Sequence, residues 1–231
     1  KAKNIEAQTF TMQILVGLAI MCLLYIVKKP ALYLLGASDI TYGYANSYIS
    51  IYLIGTVFMM VGTGMNGFIN LQGFPKIGMF STMLGAAVNI VLDPVFIFVL
   101  GFGVWGAAVA TVISQFCSAC FVTCFLFGRK VIIHITVADM LKLDFKLLKE
   151  IVTLGMSGFI MAATNCAVQA VCNATLSVHG GDIYIGIMTI INSVREMISL
   201  PINGITSGSQ PVLGYNYGAG KVNRVKKGIR F

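Results

Sequence analysis

Apolar residues fall along this chain in six long runs, separated by short stretches that carry most of the charge. A helix that crosses a bilayer needs about 20 mostly apolar residues, with roughly 17 as the lower limit. The runs at 10–27, 45–70, 77–100, 105–127, 151–177 and 183–213 all reach that length. The connections contain KKPALYLLGASD, LQGFPK, GFGV, GRKVIIHITVADMLKLDFKLLK and VHGGD. The longest runs are expected to tilt or break, and Pro201 marks a break in the sixth. The pattern predicts an all-α fold, a polytopic transmembrane helix bundle of six spans.

Composition agrees. The 231 residues are 57% hydrophobic and 10% charged, against about 25% charged in soluble domains. The net charge of +8 would suit nucleic acid if it were spread over one face, but its distribution follows topology. Lys1, Lys3, Lys76, Arg129, Lys130, Lys142, Lys146, Lys149, Lys221, Arg224, Lys226, Lys227 and Arg230 flank the runs on one side. Lys28 and Lys29 are on the other, and Arg195 is inside a run. The positive-inside rule then puts both termini and the 128–150 connection in the cytoplasm of a multi-pass protein in the cell membrane. Six spans require the termini to share a side, and nucleic acid drops out as a partner. The chain opens on Lys1 with no signal peptide before the first run, and a fragment of a longer protein is expected.

The longest polar connection, 129–150, is the expected boundary between a bundle at 1–128 and a second at 151–231. Within it, ADMLKLDFKLLKEI has an amphipathic helical spacing, which suits a helix on the membrane surface or a solvated connector. KAKNIEAQTF at the start is similar to GAGKVNRVKKGIRF at the end, as repeated halves would require. Cys117, Cys120 and Cys124 share one helical face, but His134 and His179 lie in predicted connections, so the cysteines read as packing residues. No metal and no cofactor is expected.

Polar residues inside the runs are the candidate chemistry, because hydrocarbon offers them no water. Asp93 lies about 23 Å along the third run from Gly78 and about 12 Å short of Gly101, in the outer half of the membrane. Asn89 is one turn earlier on the same face and within hydrogen-bonding reach. Pro94 has no N–H for the carbonyl of Ile90. Asp93 either braces its own bundle or binds substrate or ion. In the fifth run Asn165, Gln169 and Asn173 form a row at four-residue spacing, suited to interhelical bonds or to a cavity lining. In the sixth, Asn192, Arg195, Glu196, Ser199 and Asn203 form a polar stripe. Arg195 and Glu196 are adjacent, so their side chains diverge by about 100° and each needs its own partner. Glu196 is a candidate for the pathway, against a charge-balanced structural pair. Gly106, Ala110, Ser114 and Ser118 form a small-residue ridge for close helix packing.

The stretch LQGFPKIGMFSTMLGAAVNIVLDPVFIFVLGFGVWGAAVATVISQ, residues 71–115, resembles the multidrug and toxin extrusion (MATE) transporters. LPINGITSGSQPVLGYNYGAGKVNRVKK at 200–227 and YLLGASDITYGYANSYI extend the resemblance. It implies six spans of a two-lobe, twelve-helix antiporter, with this chain similar to helices three to eight. It also implies export of small-molecule cationic drugs or toxins in exchange for Na+ or H+, by a protein expected to be a monomer. The site residues to test are Asn89, Asp93, Asn165, Gln169, Asn173, Asn192, Arg195 and Glu196, with Pro94 and Pro201 as hinges. Arg195 is similar in context to a basic residue of the eighth helix in one subgroup. The resemblance implies a coupling acid on the first helix in one subgroup, outside this chain, and one on the seventh helix in another, absent from 151–177 where Glu150 stands only at the mouth, so the coupling ion stays open.

Two other classes compete. A lipid-linked oligosaccharide flippase of related architecture would put more basic residues in its cleft, whereas here only Arg195 is inside a run. A structural membrane subunit leaves the polar stripes without a purpose. An enzyme is not expected: GYNYGAGKV is one residue too long for a phosphate-binding loop, and Val222 stands where Ser or Thr would be needed.

Overall fold

In the computed structural model, which describes residues 2–128, 131–141 and 144–230, every regular element among the described residues is helical. The first, α1 (Ala2–Leu34), extends well beyond the apolar run and continues through Pro30. It stops where glycine allows a left-handed turn: Gly36 has φ 100°, its N–H bonds the Tyr33 carbonyl at 3.1 Å, and Ala37 N–H bonds that of Leu32 at 3.0 Å. Ser38 then caps α2 (Asp39–Leu71) in a reciprocal arrangement with Thr41. Pro75 opens α3 (Pro75–Pro94) at a position where a missing N–H costs nothing.

Past Pro94 the chain stays helical but widens into a π-helical turn, Val95–Val99, closed by Leu100 N–H on the Val95 carbonyl at 2.9 Å. Next come α4 (Gly103–Leu126), the single turn α5 (Val137–Met140), α6 (Phe145–Gly218) and α7 (Val222–Arg230). A straight helix of 74 residues would be about 110 Å long, several times the hydrocarbon thickness of about 30 Å. Gly181, with φ 64° and ψ −163°, interrupts it and divides it into two segments. These match the fifth and sixth predicted spans. Among the described residues, five helices are long and apolar enough to cross a membrane, α6 counted as one of them.

The interruption lies in VHGGD, while His179 continues the helix before it. The break expected at Pro201 is not found: α6 remains helical through Pro201 and Pro211. Proline's own φ is helical and its cost is one hydrogen bond, whereas the φ of Gly181 is not helical at all.

The chain falls into two compact units, Lys1–Thr175 and Leu176–Phe231. In the first, α2 packs between α1 and α4, and α3 lies on α4 and α2. Phe10, Val61, Met65, Ile69, Val122 and Leu126 form its core, which Val131 and Ile135 of the connecting segment complete. The small-residue ridge is a packing surface: Gly106, Ala110 and Ser114 are buried, and Ser118 Oγ donates to the Ser81 carbonyl at 3.1 Å. A Cβ at Gly85 would come within 3.3 Å of Ser118 Cβ and 3.4 Å of the Ser114 carbonyl. In the second unit, α7 brings Gly228 against Leu213 of α6.

The connecting segment is tied to α1. Lys3 Nζ pairs with Asp139 Oδ2 at 2.8 Å, and Thr11 Oγ1 donates to the Met140 carbonyl at 3.0 Å. Asp139 also caps α5 by accepting from the N–H of Thr136 at 3.0 Å and from its hydroxyl. The Lys3 ammonium and these Thr136 donors hold the Asp139 carboxyl down at about 2.

Two outcomes follow from this packing. Gly85→Leu forces a branched side chain into the α3–α4 contact and should lower stability by about 1–3 kcal/mol, read as an earlier thermal transition in detergent. Because its folded pKa is depressed, Asp139 adds stability above the unfolded aspartate value, and this is lost as pH falls toward about 2. Asp139→Asn should therefore destabilise at pH 5, more at low salt than at high salt, and the gap to wild type should narrow toward pH 2 in unfolding titrations.

Candidate functional site

The carboxylate predicted in the third span sits where α3 changes its winding. Asp93 precedes Pro94, the last residue of α3, and the π-helical turn begins directly after. Asn89 Nδ2 donates to Asp93 Oδ1 at 3.2 Å, as their four-residue spacing requires, and both residues are half-buried. The amide fills one acceptor site of the carboxylate. A carboxylate has about four lone-pair positions, so Asp93 retains capacity for a cation, a hydroxyl or an amide.

The amide row is realised on α6. Gln169 Nε2 donates to Asn173 Oδ1 at 3.3 Å, and Asn173 Nδ2 donates to the Leu35 carbonyl at 3.3 Å. The second bond reaches the turn that ends α1, so one member of the row ties α6 to the first helices. Asn165, two turns before Asn173, is exposed. In the second unit Asn192 is half-buried, whereas Arg195 and Glu196 are exposed. The structure thus joins Asn89 to Asp93 and Gln169 to Asn173.

Other polar groups are more deeply engaged, and the sequence reading passed over them. Asn66, buried in α2, donates from Nδ2 to the Gly78 carbonyl at 2.8 Å and to Ser81 Oγ at 2.6 Å, and accepts from Asn70 Nδ2 at 3.1 Å. This knot fastens α2 to the start of α3. Its signal was available: Asn66 and Asn70 stand one turn apart at the end of an apolar run. Gly55 leaves room for the Gln115 amide and Gly64 for that of Gln13, so each glutamine occupies space that a larger residue would fill. Just past the same end of α2, Gln72 Nε2 donates to both carboxyl oxygens of buried Glu6, at 3.0 and 3.2 Å. Those partners are 66 residues apart, and no local pattern announces them.

Between α1, α2 and α4 lies an apolar cavity of about 290 Å³, with Phe10, Ile14, Val57, Phe58, Phe116 and Cys120 in its wall. Among the described residues no group of three or more His, Cys, Asp or Glu side chains is arranged to hold a metal ion. The arrangement can solvate a small cation or a hydrogen-bonding solute along half-buried carboxylate and amide groups, and it can shelter an apolar one.

The sequence model of the MatE family matches residues 1–95. Over 230 residues the chain is 25% identical to the multidrug export protein MepA of Staphylococcus aureus, covering 100% of this chain and 50% of that protein. The MepA of Staphylococcus saprophyticus is 24% identical over the same length. The chain spans about half the length of these curated relatives. Among solved structures, the inward-facing conformation of a multidrug resistance MATE family transporter of the MOP superfamily superposes with a TM-score of 0.81 at 25% identity, covering 98% of this chain and 52% of that one. A MOP superfamily transporter from Pyrococcus furiosus gives a TM-score of 0.86 at 26% identity, with 98% and 50% covered. Its binding pocket is described as having reverse polarity, suggesting a different function. An all-helical fold with membrane-length helices, the match over residues 1–95 and these superpositions agree: the chain is similar in sequence and fold to MATE transporters.

Proposed function

We propose that this chain forms part of a secondary active efflux transporter that exports cationic drugs or toxins in exchange for Na+ or H+. The observation that carries the reading is the likeness, over the whole chain, to a multidrug export protein, together with intramembrane acids and amides among which Arg195 is the one basic residue. Residues 1–128 and 151–231 belong to two lobes joined by 129–150, with both described ends at the cytoplasmic face. Asn89, Asp93, Asn165, Gln169, Asn173, Asn192 and Glu196 line or stiffen the path between the lobes, and Arg195 balances charge beside it. Pro94 and Pro201 are the flex points: each removes one helical hydrogen bond, so bending there breaks no further bond.

Exchange needs the coupling ion and the drug to favour opposite lobe arrangements, because a ligand with equal affinity for both shifts neither. An inward-moving monovalent cation supplies about 2.3 kcal/mol per 100 mV, in addition to its concentration gradient. The transporter works as a monomer in the cell membrane, and no catalytic step is assigned to it. Reversed cargo polarity is the second reading, favoured by the likeness to the P. furiosus transporter; Arg195 would then be the group that meets an anionic cargo.

Efflux of a cationic dye from cells or proteoliposomes, under an imposed Na+ or H+ gradient, tests the reading. One of the two gradients should drive efflux, and Asp93→Asn should slow it at equal expression, because it removes an intramembrane charge. Gradient-independent dye movement, or transport of anionic dyes alone, would contradict cation antiport. Unchanged efflux by Asp93→Asn would reduce Asp93 to a brace.

A further inference from the structure

Gln72 is placed to do more than end a helix. It is the C-cap residue of α2, only 8% exposed, and all of its amide is used. Nε2 donates to both oxygens of Glu6, itself 1% exposed, at 3.0 and 3.2 Å. Oε1 accepts from the backbone N–H groups of Ile132 and Ile133, at 3.0 and 3.1 Å. These two amides belong to a non-helical stretch, so they have no helical carbonyl to bond. On either side of them Val131 and Ile135 are buried in the core formed by Met65, Ile69 and Leu126.

We infer that Glu6 and Gln72 form a clasp that makes segment 131–140 one body with α1 and α2. The chemistry is sequential. The Glu6 carboxyl fixes the rotamer of Gln72 by accepting from its amide, which turns the amide oxygen toward the connecting segment. The segment is then held through its backbone, whatever its side chains, and Lys3–Asp139 and Thr11–Met140 fasten its far end to α1. The three attachments lie on two helices, so they resist rotation as well as lifting. Glu6 and Gln72 are positioning residues. Segment 131–140 then moves with α1 and α2, whichever cargo the protein carries.

Hydrogen exchange of the intact protein in lipid nanodiscs reads the clasp directly. In wild type the amides of Ile132 and Ile133 should exchange far more slowly than a solvated coil. Gln72→Glu keeps an acceptor but opposes two carboxylates, and should speed their exchange by at least about fivefold, with the α2 and α4 core amides unchanged as the control for folding. The double variant Glu6→Gln with Gln72→Glu exchanges donor and acceptor: Glu at 72 accepts from both backbone amides and from the new amide at position 6. It should restore most of the protection. Coil-like exchange of these amides in wild type overturns the clasp, even if no variant folds. A double variant no better protected than Gln72→Glu also overturns it.

Discussion

A polar group surrounded by hydrocarbon has only protein, or water enclosed by protein, to bond with. That constraint accounts for more of this structure than any single contact. It forces the backbone into helices and keeps Pro94 from ending one, because the π-helical turn after it supplies bonds that a free coil would lack. It also pairs the side chains: Asn89 with Asp93, Gln169 with Asn173, and Asn66 with both the Gly78 carbonyl and Ser81. Each pairing removes one desolvation penalty, and those that cross between helices fix their register. Apolar packing alone would not do so, since lipid tails compete with side chains for every apolar surface.

The same logic continues at the membrane edge, where the chain must leave its helices. At Gly36 the last carbonyls of α1 are closed by a left-handed glycine turn, and Asn173 takes the carbonyl of Leu35. At Gln72 the end of α2 becomes an anchor for the segment that follows α4. Transport by rocking lobes needs rigid bodies as much as it needs hinges. Joints of this kind fasten the first unit at its helix ends.

What could be read from the sequence was what one helix determines by itself. Six apolar runs, the Asn89–Asp93 pair and the Gln169–Asn173 pair depend only on helical spacing, and all are present. The small-residue ridge at Gly106, Ala110, Ser114 and Ser118 was legible because close approach needs small side chains whatever the partner. Where residues distant in sequence decide, the reading failed. Glu6 and Gln72 are 66 residues apart and carry no local signal of their pairing, and the long reach of α1 and α6 past their apolar runs was invisible to hydropathy. The break expected at Pro201 falls instead at Gly181 in VHGGD, because a proline inside a long helix costs one bond, whereas the φ of Gly181 is not helical.

If Asn89 and Asn165 belong to a transport path, they meet water while the apolar faces of the same helices meet lipid. Spin labels placed singly at Asn89 and Asn165, and at the exposed apolar positions Ile90 and Phe159, separate the two environments in the intact protein in bilayers. Labels at Asn89 and Asn165 should be relaxed by a water-soluble nickel chelate and little by oxygen, with the reverse at Ile90 and Phe159. Oxygen-dominated relaxation at all four positions would place the amides among acyl chains and contradict a hydrophilic pathway.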